Sequence, residues 1–174
     1  MTHPRRKFVT LGLSTVTLIS AALIAVPALA SPPSGIASVV LVTADNDAEG
    51  HINSDRIKFQ TKGPTDVRIQ KLTFAAGAYS GWHHHPGFII VAVKTGLVTL
   101  SQSDCSSKSY GPGSSNGAVF VEGHDDAQQA TSAAGAEVYV TYVAPSADPR
   151  VFRIEDDPPV CATATTFRNS PAGN

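Results

Sequence analysis

No stretch after residue 30 repeats its apolar residues at a helical period, which speaks against a bundle or a coiled coil. No later segment is long and apolar enough to span a bilayer either. Cysteine is scarce, at two, and neither Cys105 nor Cys161 has a second cysteine near it, which argues against a thiolate metal cluster. An excess of positive charge is also missing, with 13 Lys and Arg against 14 Asp and Glu. Three of those basic residues fall in the first ten positions, so the remainder is mildly acidic. That balance disfavours nucleic acid or an anionic membrane as a partner. No glycine-rich phosphate loop, paired general acid and base or activated nucleophile stands out.

What is there begins with an export leader. Arg5-Arg6-Lys7 forms a positive start, Leu11 to Val26 a mostly apolar run, and Ala28-Leu29-Ala30 a small-residue cleavage site. Arg5-Arg6-Lys7-Phe8 also fits the twin-arginine pattern, so both the twin-arginine route and an ordinary secretory route stay open. An uncleaved anchor is the other alternative, although Pro27 and the Ala-Leu-Ala ending stop the run as a leader would. The reading is a bacterial signal peptide over residues 1–30 and a secreted, periplasmic or surface-associated product with no membrane span after cleavage. The length that remains suits one domain around a single core. In an oxidising compartment, a Cys105–Cys161 disulfide is the leading expectation and two unpaired thiols the alternative. Such a bond would tie the C-terminal tail to a mid-chain loop and contribute about 4 kcal/mol on a chain-entropy account.

Short β-type segments separated by Gly and Pro fill the rest. Residues 31–66 read as N-terminal strands and loops: Ile36–Thr43 is apolar and β-branched enough for a buried strand, and Arg56–Gln60 alternates. His51, in the polar loop between them, reads as a solvated surface residue. Over residues 67–144, Val67–Phe74 alternates, Phe88–Lys94 is apolar on both faces like a central strand, and Leu97–Ser101 follows a turn. Ser101–Asn116 reads as a long exposed loop, Gly117–Glu122 and Glu137–Val143 as strands, and residues 145–174 as a Pro-rich peripheral tail. Many short strands with regular turn signals predict an all-β sandwich or barrel.

The chemistry concentrates at Gly77-Ala-Tyr-Ser-Gly-Trp-His83-His84-His85-Pro-Gly. On a strand, His83 and His85 project from one face and can converge on one ion, whereas His84 projects from the other. Trp82 reads as packing on the His84 side, and Tyr79 as packing or a residue of the barrel mouth. Ile89, Val91 and Val93 share the inward face and predict a dry cavity suited to an apolar or aromatic ligand.

Gly77, His83, His85 and Gly96 match in spacing the first motif of the cupins, and residues 67–144 resemble a small single-domain member of that family. The resemblance implies a double-stranded β-helix, or jelly-roll, barrel. It also implies a divalent metal, with iron, manganese, nickel, copper and zinc all open. Where the motif places a glutamate, this chain has Ile89, or Ile90 one residue on. The second motif is echoed only by Gly117-Ala-Val-Phe-Val-Glu122-Gly123-His124-Asp125-Asp126: its proline is missing and its histidine position falls on Gln128. The candidate metal ligands are therefore His83, His85, His124 and Asp126, either as three imidazoles or as two imidazoles and a carboxylate, while Glu122 reads as a strand-end cap. Because neutral imidazoles bind metal, occupancy is expected to fall below about pH 6.5.

Two functions follow. The first is an exported metal-binding cupin holding a small organic molecule in its barrel, with oxygenase or isomerase chemistry implied by the resemblance. The second is a metal-free cupin that binds a small ligand or a protein without catalysis. A homodimer through sheet edges is the oligomer that the resemblance implies.

Overall fold

The computed structural model describes residues 32–123, 126–160 and 162, so the leader, His124 and Cys161 lie outside the described residues. Between residues 34 and 155 all regular structure is β-strand, as the missing helical periodicity predicts. No helix among the described residues is long and apolar enough to cross a membrane.

The strands form two antiparallel layers folded face to face. One layer runs in the order β1 (Ser34–Asn46), β4 (Thr65–Tyr79), β11 (Ala136–Pro145), β6 (Phe88–Gly96), β9 (Val119–Glu122). The other runs β12 (Ile154–Glu155), β5 (His83–His84), β10 (Gln128–Ser132), β7 (Val98–Gln102), β8 (Ser107–Tyr110). The end of β4 also pairs with β10, at Tyr79 with Thr131 and Ala78 with Ser132, and so joins the layers into one 10-stranded sheet. A separate hairpin, β2 (His51–Asn53) and β3 (Lys58–Gln60), carries the exposed His51. This is the all-β jelly-roll barrel that the cupin resemblance implies.

Period-two patterning sets the layers. On β6, Ile89, Val91 and Val93 are buried and Ile90 is exposed. On β11, Ala136, Val138 and Val140 are buried. Register then stacks inward rows across three strands: Val140, Val91 and Phe120 in one, Tyr142, Ile89 and Glu122 in the next. Each fully buried Val, Ile or Phe of these rows contributes about 1.5–3 kcal/mol. Gly77, at the end of β4, has φ of +76°, a left-handed conformation that costs glycine little and other residues more.

Three sequence expectations need correction. The Ile36–Thr43 run does form a strand, but not a buried one: Val39, Val40, Leu41 and Val42 are each about half exposed. β1 is an edge strand with β4 as its only neighbour among the described residues, and the core is filled by the strands beyond it. Ser101–Asn116 is not all loop, because β8 pairs with β7 and its serines are ladder residues; the Thr99 and Ser109 hydroxyls meet at 2.8 Å. The tail is not peripheral through residue 156: Phe152 is buried and β12 pairs with β5.

Candidate metal centre

His83 and His85 point into the space between the layers, and both are buried. Their rings stand edge to face, with centroids 4.9 Å apart. Each ring is fixed through Nδ1, His83 on the carbonyl of Gly81 at 2.9 Å and His85 on the carbonyl of Phe152 at 2.7 Å. A carbonyl oxygen only accepts, so both Nδ1 atoms carry a proton, and in the neutral ring the lone pair is on Nε2. This is the tautomer and orientation in which histidine ligates a metal.

The third member is Glu122. Ligand atoms of His83, His85 and Glu122 lie within 4.8 Å of one another, and all three residues are buried. The strand-cap role read from the sequence is therefore corrected: β9 places Glu122 in the inward phase with Phe120, directly across from Ile89. Ile89 occupies the position at which the motif expects its glutamate, so the carboxylate arrives from the neighbouring strand instead. His85 Nε2 lies 3.4 Å from a Glu122 oxygen yet has no hydrogen-bond partner. Two electron-pair donors facing each other at that distance, both buried, repel unless a proton or a cation stands between them. The orphaned Nε2 and the mixed nitrogen and oxygen donor set fit a divalent metal.

None of the other described candidates belongs to this cluster. Asp126 is exposed in the segment leading to β10 and is not part of this cluster. His124 and Cys161 lie outside the described residues, and with Cys161 goes the expected disulfide. His84 faces the other way and bonds Asp156 through Nδ1 at 2.8 Å. Trp82 is buried, and its carbonyl accepts from the Asp156 backbone at 3.0 Å. Tyr79 does not line the cavity. Gln128 lies opposite His83 in the β5–β10 pair and so shares its face; its Oε1 is buried and without a partner.

A cavity of about 250 Å³ opens from the cluster. Its walls are mostly apolar, with Leu72, Phe74, Val91, Val98, Phe120 and Val138 among them. Tyr142 and Arg153 join the histidines and Glu122 in the lining. Burial, reinforced by the Glu122 charge, pushes the Tyr142 phenol up to about 12, so it remains a hydrogen-bond donor at neutral pH. Tyr142 follows the inward phase of β11 and could be read from its strand. Arg153 lies in the Pro-rich tail, where no periodicity marks it.

Burial first, and then the Arg153 charge, push His83 down to about 3 from the ordinary imidazole value of 6.5. The expected loss of metal below about pH 6.5 therefore does not hold for this ring, which stays neutral well below that value. In the unfolded chain the same ring takes its proton near pH 6.5, so between there and about pH 3 the unfolded state holds more protons. Its contribution to metal-free stability is complete above pH 6.5 and is lost on acidification through that window, by up to about 1.4 kcal/mol per pH unit. Thermal unfolding of the metal-free protein from pH 7 to pH 4 should show the loss, and a His83→Gln variant should show a flatter dependence.

No protein-family profile and no curated protein matches the chain. Solved structures resemble it weakly. A conserved protein of unknown function from Streptococcus pyogenes is 17% identical, with a TM-score of 0.45 over 64% of this chain and 76% of that one. A cupin superfamily protein from Desulfitobacterium hafniense is 13% identical, with a TM-score of 0.44 over 67% of this chain and 84% of that one. Salicylate 1,2-dioxygenase from Pseudoaminobacter salicylatoxidans, solved with gentisate, is 15% identical, with a TM-score of 0.44 over 65% of this chain and 26% of that one. At these identities and scores no ligand or activity passes from those proteins to this chain.

Proposed function

We propose that this chain is an exported cupin that holds a divalent metal on His83, His85 and Glu122 and a small organic ligand in the adjoining cavity. The observation that carries the reading is the buried, unpartnered Nε2 of His85 facing Glu122, with both imidazoles locked by backbone carbonyls in the ligating tautomer. Two imidazoles and one carboxylate are the ligand types of non-haem iron sites, and they also suit manganese, cobalt and zinc. A metal bound there would polarise an oxygen of the ligand. The chain's own residues exclude water with apolar walls, fix the two rings and present the Tyr142 phenol as a donor. Export over residues 1–30 and a Cys105–Cys161 bond belong to the same proposal, checked by the N-terminus and thiol content of protein recovered from outside the cytoplasm.

Elemental analysis of purified protein, followed by cobalt(II) titration of the stripped protein, tests the metal. One equivalent of metal and a visible cobalt spectrum are expected, and both should disappear in a His83→Ala, His85→Ala variant. A wild-type protein that takes up no cobalt would sink the reading and favour a metal-free binding module.

A further inference from the structure

Among the described residues, Arg153 is the only lysine or arginine that lines the cavity. It is held from one side only. Its Nε donates to one Glu155 oxygen at 2.5 Å, and its Nη2 donates to the other at 2.8 Å and to the Ser80 carbonyl at 2.7 Å. These bonds engage Nε and Nη2. Nη1, with two further N–H groups, has no hydrogen-bond partner among the described residues. The Ser80 hydroxyl in turn donates to the Gly81 carbonyl and accepts from the Ala130 amide, so the Arg153 anchor is itself fixed.

We propose that Arg153 anchors the carboxylate of a small monoanionic ligand whose apolar or aromatic body fills the cavity beside the metal cluster. The proposal rests on the metal reading above. With a divalent ion in place, Glu122 and Glu155 together cancel its two charges, and Arg153 leaves one positive charge for the ligand to neutralise. Arginine suits that task because it stays charged and its free Nη1 still offers two directed N–H donors to a carboxylate. The wall composition sets the rest of the molecule: beyond the metal end, the lining is mostly hydrocarbon, with Ser38 and Gln70 as its uncharged polar side chains. Size narrows it further. A cavity of about 150 Å³ admits benzene, and drug-sized pockets begin at about 300 Å³. At about 250 Å³, this one suits a single ring or a short branched chain bearing one carboxylate.

The test uses zinc-loaded protein, with loading verified for each variant, and calorimetric titration with benzoate, isovalerate and the neutral isostere benzamide. Wild type should bind at least one of the two anions, and benzamide more weakly. Arg153→Gln should weaken anion binding about 10–100-fold and Arg153→Lys less, because a lysine keeps the charge but not the planar, directed donors. Glu155→Gln, which removes the competing anion from the exposed side, should tighten it severalfold. That gain is not expected if Arg153 serves only to latch the tail, and it decides the matter even if Arg153→Gln does not fold. A wild type that takes up no zinc overturns both readings. Zinc uptake with binding of neither anion, or with anion binding indifferent to residues 153 and 155, overturns this one alone.

Discussion

Replacing Glu122 by alanine should cost the protein its metal while leaving the metal-free fold as stable as before or more so. Loss of a partner that merely orients a ligand costs metal sites about 10–100-fold in affinity, and loss of a ligand should cost more. The stability prediction runs the other way because Glu122 is a buried carboxylate 3.4 Å from a buried ring nitrogen that has no hydrogen-bond partner. Without a cation that arrangement is a liability, and an apolar replacement removes it. Cobalt titration and thermal unfolding of the stripped protein check the two halves separately. A Glu122→Ala protein that binds cobalt like wild type, or whose metal-free form unfolds far more easily, would make Glu122 structural. The exchange of Ile89→Glu with Glu122→Ile carries the argument further. These residues face each other across β6 and β9 on the inward face, so the swap returns the carboxylate to the position the motif expects. It should recover much of the cobalt affinity that Glu122→Ile alone loses.

The same pair shows how far the sequence could be read. His83 and His85 were legible because the period of a strand is local: two residues apart means one face, whatever the rest of the fold does. The inward row Ile89, Val91 and Val93 was legible for the same reason. Glu122 was not, because its place opposite Ile89 depends on strand register, which no local pattern states. A signal was nonetheless present: it is the one acid in Ala118–Glu122, and it keeps the parity of Phe120 rather than that of Val119 and Val121. The edge position of β1 is likewise non-local, so an apolar run that looked buried lies exposed. In β8 the three residues before Tyr110 are Ser and Lys, whose side chains carry no apolar alternation.

Deleting the tail from residue 150 onward should lower the unfolding temperature sharply and abolish cobalt binding, although no metal-ligand candidate in the described cluster is removed. The stability loss follows from Phe152, which is buried against Tyr142 at a centroid distance of 5.9 Å and lies under the Arg68 guanidinium at 4.0 Å. Truncating a buried phenylalanine costs about 3–5 kcal/mol on its own, and β12 and the His84–Asp156 bond go with it. The metal loss has a separate cause: the Phe152 carbonyl sets the tautomer of His85, and no side-chain substitution removes it. Phe152→Ala separates the two effects. It should show most of the stability loss but keep cobalt binding below its lowered unfolding temperature, because the carbonyl remains. If Phe152→Ala loses cobalt as completely as the deletion does, ring packing rather than the carbonyl orients His85. If the deletion binds cobalt normally, the segment from residue 150 plays no part in shaping the metal centre.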